Sequence, residues 1–347
     1  MATVVITGGS GFVGSRLARA LLAAGSIDVA GSGERPISRL TLIDRVPAPA
    51  DLTADGRVTA ISGDLAELFD PAQGERAARP ASSTLAQADV VFHLAAAVSG
   101  ECESDFDLGM HANLLATQRL LAECRAQGNH PVVVFASSVA VFGATADHPL
   151  PAVVDDGTLP VPQTSYGTQK LLTEYLLADY TRKGFLRGRS VRLMTIVVRP
   201  GRPNAAASGF LSSIIREPLA GQRATCPVSP GTEVALASPA RAIEGLMCAA
   251  TSTDAAWGGR TGVNLPALTV KVADMVAALE RAAGPRASAL IDWTPDPAVE
   301  RMFATWPARV RADRAAGFGL APDQDFDSVI ALHIAETAAR SAEGAGP

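Results

Sequence analysis

The stretch ATVVITGGSGFVGSRLARALLAAG, residues 2–25, decides the architecture. Its first six residues are apolar or β-branched, as in a strand buried on both faces. Gly8, Gly11 and Gly14 follow in the pattern G-x-x-G-x-x-G. Apolar residues then recur at helical spacing (Phe12, Val13, Leu17, Ala20, Leu21). A strand, a glycine turn and a helix in that order make a dinucleotide-binding element. Glycine permits the tight turn and lets the backbone approach a pyrophosphate, which rests on the first amides of the helix. The main chain of Gly8, Gly11, Phe12, Val13 and Gly14 is the expected contact.

The next strand reads LTLID, residues 40–44. It ends in Asp44, where an acid can accept from the adenosine ribose hydroxyls and repel a 2′-phosphate, which favours NAD over NADP. Arg45 follows directly and pulls the other way. A plain strand-end turn acid is the alternative for Asp44. Residues 26–39, SIDVAGSGERPISR, read as an inserted loop.

Strand-like runs (3–7, 40–44, 57–61, 89–94, 131–136, 191–198) alternate with helical patterns (11–24, 106–127, 165–183). That alternation predicts an α/β fold: a Rossmann-type, doubly wound parallel sheet with a smaller C-terminal α/β substrate lobe. The expected division is an NAD-binding domain over 1–200, joined by part of 230–265. A substrate lobe over 201–229 and 266–340 and a flexible tail over 341–347 complete it. The segment TVKVADMVAALERAAG is an amphipathic helix preceded by a short strand, GVNLP.

Tyr166 and Lys170 stand four residues apart in TSYGTQK. The chain holds three tyrosines (166, 175, 180) and three lysines (170, 183, 271), so a chance pair at this spacing is rare. Residues i and i+4 share one helix face, about 5–6 Å apart between Cβ atoms. An ammonium there favours phenolate over phenol, which makes a general base for an alcohol proton. A surface helix with a packed Tyr and a solvated Lys is the bland alternative.

Composition sets the outer bounds. The 347 residues carry a formal net charge of −5, which argues against nucleic-acid binding. There is no apolar run of membrane-spanning length, and the chain begins directly in a strand with no room for a signal segment. Cys102, Cys124, Cys226 and Cys248 are scattered, with no metal-ligand spacing. They read as buried thiols in a cytoplasmic protein, and no metal is expected.

TGGSGFVG, the acid of LTLID, GDL at 63–65, HLAAAVSG at 93–100, SSVAVFG at 137–143 and YGTQK at 166–170 together resemble the extended short-chain dehydrogenases/reductases. That group includes the nucleotide-sugar epimerases and dehydratases, and the likeness covers residues 1 to about 340. It implies NAD as cofactor and a Ser138–Tyr166–Lys170 site. Ser138 would hold the reacting oxygen beside the phenol. Tyr166 would be the base, and Lys170 would also bind the nicotinamide ribose. Asp64 and Leu65 would flank the adenine; Leu94, Ala95, Ala96 and Pro200 would line the cofactor. Asn113 and His93 read as scaffold, Trp306 as core, and Phe142 replaces a common tyrosine. Homodimers through 106–127 and 165–183 are expected of such proteins.

Other segments, among them AAAVSGECESDFDLG and VVRPGRPNAAASGFLSSIIREPLAGQ, resemble family members that oxidise C2 of small sugar acids. A small acid needs a cation and short polar groups. Arg202, Asn204, Ser208, Arg216 and Ser99 are the candidates beside Ser138 and Tyr166, and Arg199 reads as structural. Two rivals are an epimerase or dehydratase with retained NAD and a non-catalytic NAD-sensing protein. The intact Tyr–Lys pair argues against the latter.

Overall fold

A computed structural model describes residues 1–74, 79–200, 208–259 and 261–344. The chain divides into two compact units. The first is Met1–Val141 with Pro162–Leu193 and Ile243–Val263. The second is Phe142–Val161 with Met194–Ala242 and Asn264–Pro347.

The first unit is built on one twisted sheet. Its elements are β1 (Ala2–Thr7), α1 (Phe12–Ala24), β2 (Ser26–Asp28), β3 (Glu34–Asp44), β4 (Val58–Ser62), β5 (Val90–His93), α2 (Ala116–Gln127), β6 (Val132–Ser138), α3 (Ser165–Arg182) and β7 (Arg187–Leu193). The order runs β7-β6-β5-β1-β3, with β4 and β2 both on β3; the strand Val263–Asn264 lies beyond β7. The pairings β1–β3, β1–β5, β3–β4, β5–β6 and β6–β7 are parallel. The strand order reverses between β1 and β5. In open α/β sheets, ligands bind outside the carboxyl ends of the strands at such a switch point. Val5, Val91, Val133, Leu120, Phe135 and Leu177 belong to the core cluster.

Three local expectations change. The segment 26–39 is not a loop: β2 pairs antiparallel with the first residues of β3, so this strand starts at Glu34 rather than Leu40. Ile37 is buried opposite Ala2 of β1, which draws the segment into the sheet. The helical pattern over 106–127 divides into Phe106–Gly109, a wider π-turn over Met110–Leu115, and α2. The strand run 191–198 spans two sheets. β7 begins at Arg187, and Thr195–Ile196 belongs to a separate sheet of the second unit. Three arginines disguise β7 as polar, yet two of them are buried and paired. Arg189 donates to the Ala249 and Ser252 carbonyls and to Asp254, and its guanidinium lies 5.4 Å from the Trp257 ring centre. Arg192 pairs with Glu174.

In the second unit Glu233–Ala237 lies between Thr195–Ile196, parallel, and Leu268–Lys271, antiparallel. Ala224–Cys226 pairs in parallel with Ile291–Trp293. The amphipathic helix starts at Val272, after the strand Leu268–Lys271. Its Met275 and Leu279 join Leu211, Ile214, Leu236 and Ile330 in this unit's core, and Trp306 packs against it. Among the described residues no helix is long and apolar enough to cross a membrane.

Candidate active site

Two loops of the first unit meet backbone to backbone at the switch point. Gly8 has φ +71°, and a Cβ there would lie 2.6 Å from the Ala95 nitrogen and 2.8 Å from the Leu94 carbon. Only glycine satisfies both the dihedral and the approach. The Leu94 N–H donates to Thr7 O at 3.0 Å and the Gly8 N–H to Ile43 O at 2.8 Å. The turn after β1 is thereby fixed against the ends of β3 and β5. Gly11 caps α1 without any side-chain hydrogen bond, which suits its first amides to a pyrophosphate. Phe12, Val13 and Gly14 form that first turn, and the Arg16 guanidinium lies 4.8 Å from the Phe12 ring centre. The group that fits this cradle is a dinucleotide.

Asp44 ends β3 facing the glycine turn. One carboxylate oxygen accepts from the Ser10 N–H at 3.0 Å and the other from the Val46 N–H at 3.2 Å. A carboxylate has about four lone-pair sites, so capacity for ribose hydroxyls remains. Asp64 caps the helix Leu65–Leu68 through the Ala66 N–H at 2.8 Å and meets His111 Nε2 at 3.1 Å. Partial burial raises its pKa, but His111 and the Ala66 amide outweigh that and hold it below the usual carboxylate range. The sequence reading missed His111; its place on the π-turn is invisible to helical periodicity.

The candidates Ser138, Tyr166 and Lys170 lie at the end of β6 and in the first turns of α3. Thr164 caps α3 by accepting from the Gly167 N–H at 3.0 Å, which places Tyr166 in the first turn. Gly167 lets α3 lie directly on the turn after β6, since a Cβ there would meet the Ala140 carbonyl. On that turn the Ser138 hydroxyl accepts from the Ala140 N–H at 3.1 Å. Lys170, 3% exposed, donates from Nζ to Ala136 O at 2.8 Å. The same ammonium lies 4.7 Å from the Phe135 ring centre and 5.5 Å from that of Tyr166. Desolvation lowers its pKa from 10.5 to about 8, with Cys102 and Glu174 acting in the opposite direction. The fold therefore presents a cation next to the Tyr166 ring, tied to β6 two residues before Ser138.

Two residues read as scaffold do hold it. His93 receives at Nδ1 from the Thr7 hydroxyl and donates from Nε2 to Thr117 Oγ1, both at 2.7 Å. This tautomer follows because the Thr117 proton goes to Asn113 O. Asn113 bridges the Ala97 backbone, Cys102 and Gln169. Ser99 opens the helix Ser99–Ser104.

Of the other substrate candidates, Ser208 and Arg216 lie in the second unit, as does Pro200, while Arg202 and Asn204 fall outside the described residues. Arg199 donates from Nε to Ile196 O at 3.0 Å and from Nη2 to Ser208 Oγ at 3.4 Å. Arg216 donates to Arg199 O at 2.6 Å and to Glu217 at 2.5 Å.

Residues 4–235 match the family described as NAD dependent epimerase/dehydratase. The chain is 48% identical over 331 residues to a D-erythronate dehydrogenase of Cupriavidus necator, covering 95% of this chain and 97% of the relative. It is 38% identical to a D-erythronate dehydrogenase of Haemophilus influenzae, covering 95% and 98%. Its fold matches the crystal structure of a nucleoside-diphosphate-sugar epimerase from Agrobacterium tumefaciens with TM-score 0.85 and 40% identity, covering 96% and 93%. The chain belongs to the NAD-dependent epimerase/dehydratase family, whose cofactor is NAD.

Two outcomes are expected from this geometry. Replacing Asp44 by Ala should reduce the preference for NAD over NADP by about tenfold, roughly 1.4 kcal/mol. Binding titrations with both nucleotides check this; an unchanged ratio would remove Asp44 as the ribose ligand. The second concerns Lys170, which releases its proton near pH 8 in the fold and near pH 10.5 unfolded. Between those values the unfolded chain holds the extra proton, so raising the pH favours the fold. The stability of the wild type relative to Lys170→Met should thus rise across that window by up to about 3 kcal/mol. Denaturant midpoints of both proteins on either side of the window measure it.

Proposed function

We propose, on the premise of that family membership, that the chain oxidises the C2 hydroxyl of a small sugar acid, D-erythronate, to 2-dehydro-D-erythronate. The observation that supports the reading is the buried Lys170 ammonium, 5.5 Å from the Tyr166 ring centre and bonded to the carbonyl of Ala136, two residues before Ser138 on β6. The two dehydrogenase relatives support the substrate class. Bound NAD supplies the hydride acceptor. The remaining tasks fall to the chain. The Ser138 hydroxyl holds the reacting oxygen, and the Tyr166 phenolate takes its proton. The Lys170 ammonium favours that phenolate and binds the nicotinamide ribose. The Gly8–Gly14 turn holds the pyrophosphate, and Asp44 the adenosine ribose. For the substrate's carboxylate and other hydroxyls the proposed groups are Ser99, Arg202, Asn204, Ser208 and Arg216.

The epimerase title of the Agrobacterium structure favours a second reading, in which the same residues work on a nucleotide sugar and NAD stays bound. Absorbance of free NADH separates the two. Growth with D-erythronate and none with UDP-glucose is expected; sugar-nucleotide conversion without net NADH would overturn the proposal. Tyr166→Phe should cost about 10²–10⁴ in turnover, the usual scale of a lost acid–base group, while NAD still binds.

A homodimer through the helices at 106–127 and 165–183 is also proposed. Phe106, Leu172 and Tyr175 are exposed apolar side chains there, at 60%, 44% and 57%. Leu172 and Tyr175 share one face of α3 by their i, i+3 spacing. Leu172→Glu with Tyr175→Glu should yield a monomer by light scattering; an unaltered dimer would place the interface elsewhere.

A further inference from the structure

One turn beyond Lys170 on α3 lies Glu174, buried at 3% exposure, with Arg192 of β7 buried beside it at 4%. The pair is forked: Arg192 Nε donates to Glu174 Oε1 at 2.9 Å and Nη2 to Oε2 at 2.7 Å. The Ser137 hydroxyl donates to the same Oε1 at 2.5 Å. The register explains the meeting, because Ser137 of β6 stands directly opposite Arg192 of β7. Ala136 and Ser137 are thus each tied to α3, the first through Lys170 and the second through Glu174. The next residue is Ser138. A buried ion pair is often no better for stability than apolar residues of the same volume. Its position here has another use.

We propose that Glu174 is a positioning residue of the site. Held by Arg192, its carboxylate anchors Ser137, and so the strand end that carries Ser138, and is the counter-charge of the buried Lys170 ammonium. The proposal rests on the Ser138–Tyr166–Lys170 reading. Titratable and charged groups stand around Lys170 on four elements. Tyr166 and Glu174 lie on its own helix, Cys102 on the helix Ser99–Ser104, His93 at the end of β5, and Arg192 on β7. Burial pushes the Cys102 thiol up and the His93 imidazolium down, so both are neutral near pH 7. Arg192 is cationic and spoken for by Glu174. The anion of the set that favours the ammonium is Glu174.

The chain has only three lysines, so ¹³Cε-lysine labelling gives three signals, and Lys170→Met assigns the one of interest. The readout needs neither cofactor nor substrate. In Glu174→Gln the Lys170 titration midpoint should fall by about one pH unit or more, the scale of a close opposite charge. An unmoved midpoint in a folded variant overturns the counter-charge role. Should Glu174→Gln not fold, Glu174→Asp, with the carboxylate withdrawn by one methylene, is titrated in the same way and should move in the same direction. Ser137→Ala should leave the midpoint in place but lower kcat on D-erythronate about tenfold at unchanged KM for NAD, as expected when a positioned group is misplaced. Unchanged kcat overturns the anchoring role. Failure of the wild type to oxidise any sugar acid would instead overturn the proposed reaction, with the lysine titration still deciding the role of Glu174.

Discussion

The placement of α3 in the first unit depends on one desolvated cation, Lys170. An ammonium taken out of water costs several kcal/mol unless its surroundings replace the lost hydration. For Lys170 the replacements are the Ala136 carbonyl, the faces of Phe135 and Tyr166, and the charge of Glu174. Each comes from a different constraint on where α3 may lie. The carbonyl fixes its distance from β6. Gly167 removes the side chain that would hold the helix away from Ala140. Thr164 starts the helix so that Tyr166 falls in its first turn. Solving the lysine's desolvation problem ties the first turns of α3, which carry Tyr166, to the end of β6.

Much of this arrangement was legible in the chain because it is local. The glycine turn, the acid after β3 and the i, i+4 Tyr–Lys spacing each lie within a single strand–turn–helix or a single helix. The register of the sheet is not local, and there the reading failed. The segment RGRSVRL looks too charged for an interior strand until Asp254 and Glu174, distant in sequence, are seen to pair with Arg189 and Arg192, with the Trp257 ring against Arg189. The apolar run over 191–198 looks like one strand because hydropathy does not register that β7 ends at Leu193 and Thr195–Ile196 pairs with Leu236–Ala237 instead. The hairpin over 26–39 was hidden by its Gly, Pro and Ser content. Glu174 sits at a helical spacing from Lys170 that could have been noticed, but nothing in the sequence announces its partner on β7.

The choice between a released and a retained NADH does not turn on the reacting residues. An alcohol proton must be removed in both chemistries, and a serine hydroxyl, a phenolate and an ammonium serve both. What differs is the part of the substrate away from the reacting carbon. A nucleotide sugar brings a diphosphate and a base; a four-carbon acid brings one carboxylate and a few hydroxyls, for which a single forked cation and short polar groups suffice. Of the three arginines over 199–216, Arg199 is bonded to Ile196 O and Ser208, and Arg216 to Glu217 and Arg199 O.

The neutrality of His93 completes the electrostatic logic. Burial first, and then the Lys170 charge, push its pKa down to about 3. The hydroxyls of Thr7 and Thr117 satisfy both ring nitrogens of the uncharged form. A protonated imidazole would be a second cation in the same interior and would make the lysine's own charge harder to keep. By holding the histidine neutral at the end of β5 and giving Arg192 to Glu174, the fold leaves Lys170 as the cation that faces Tyr166.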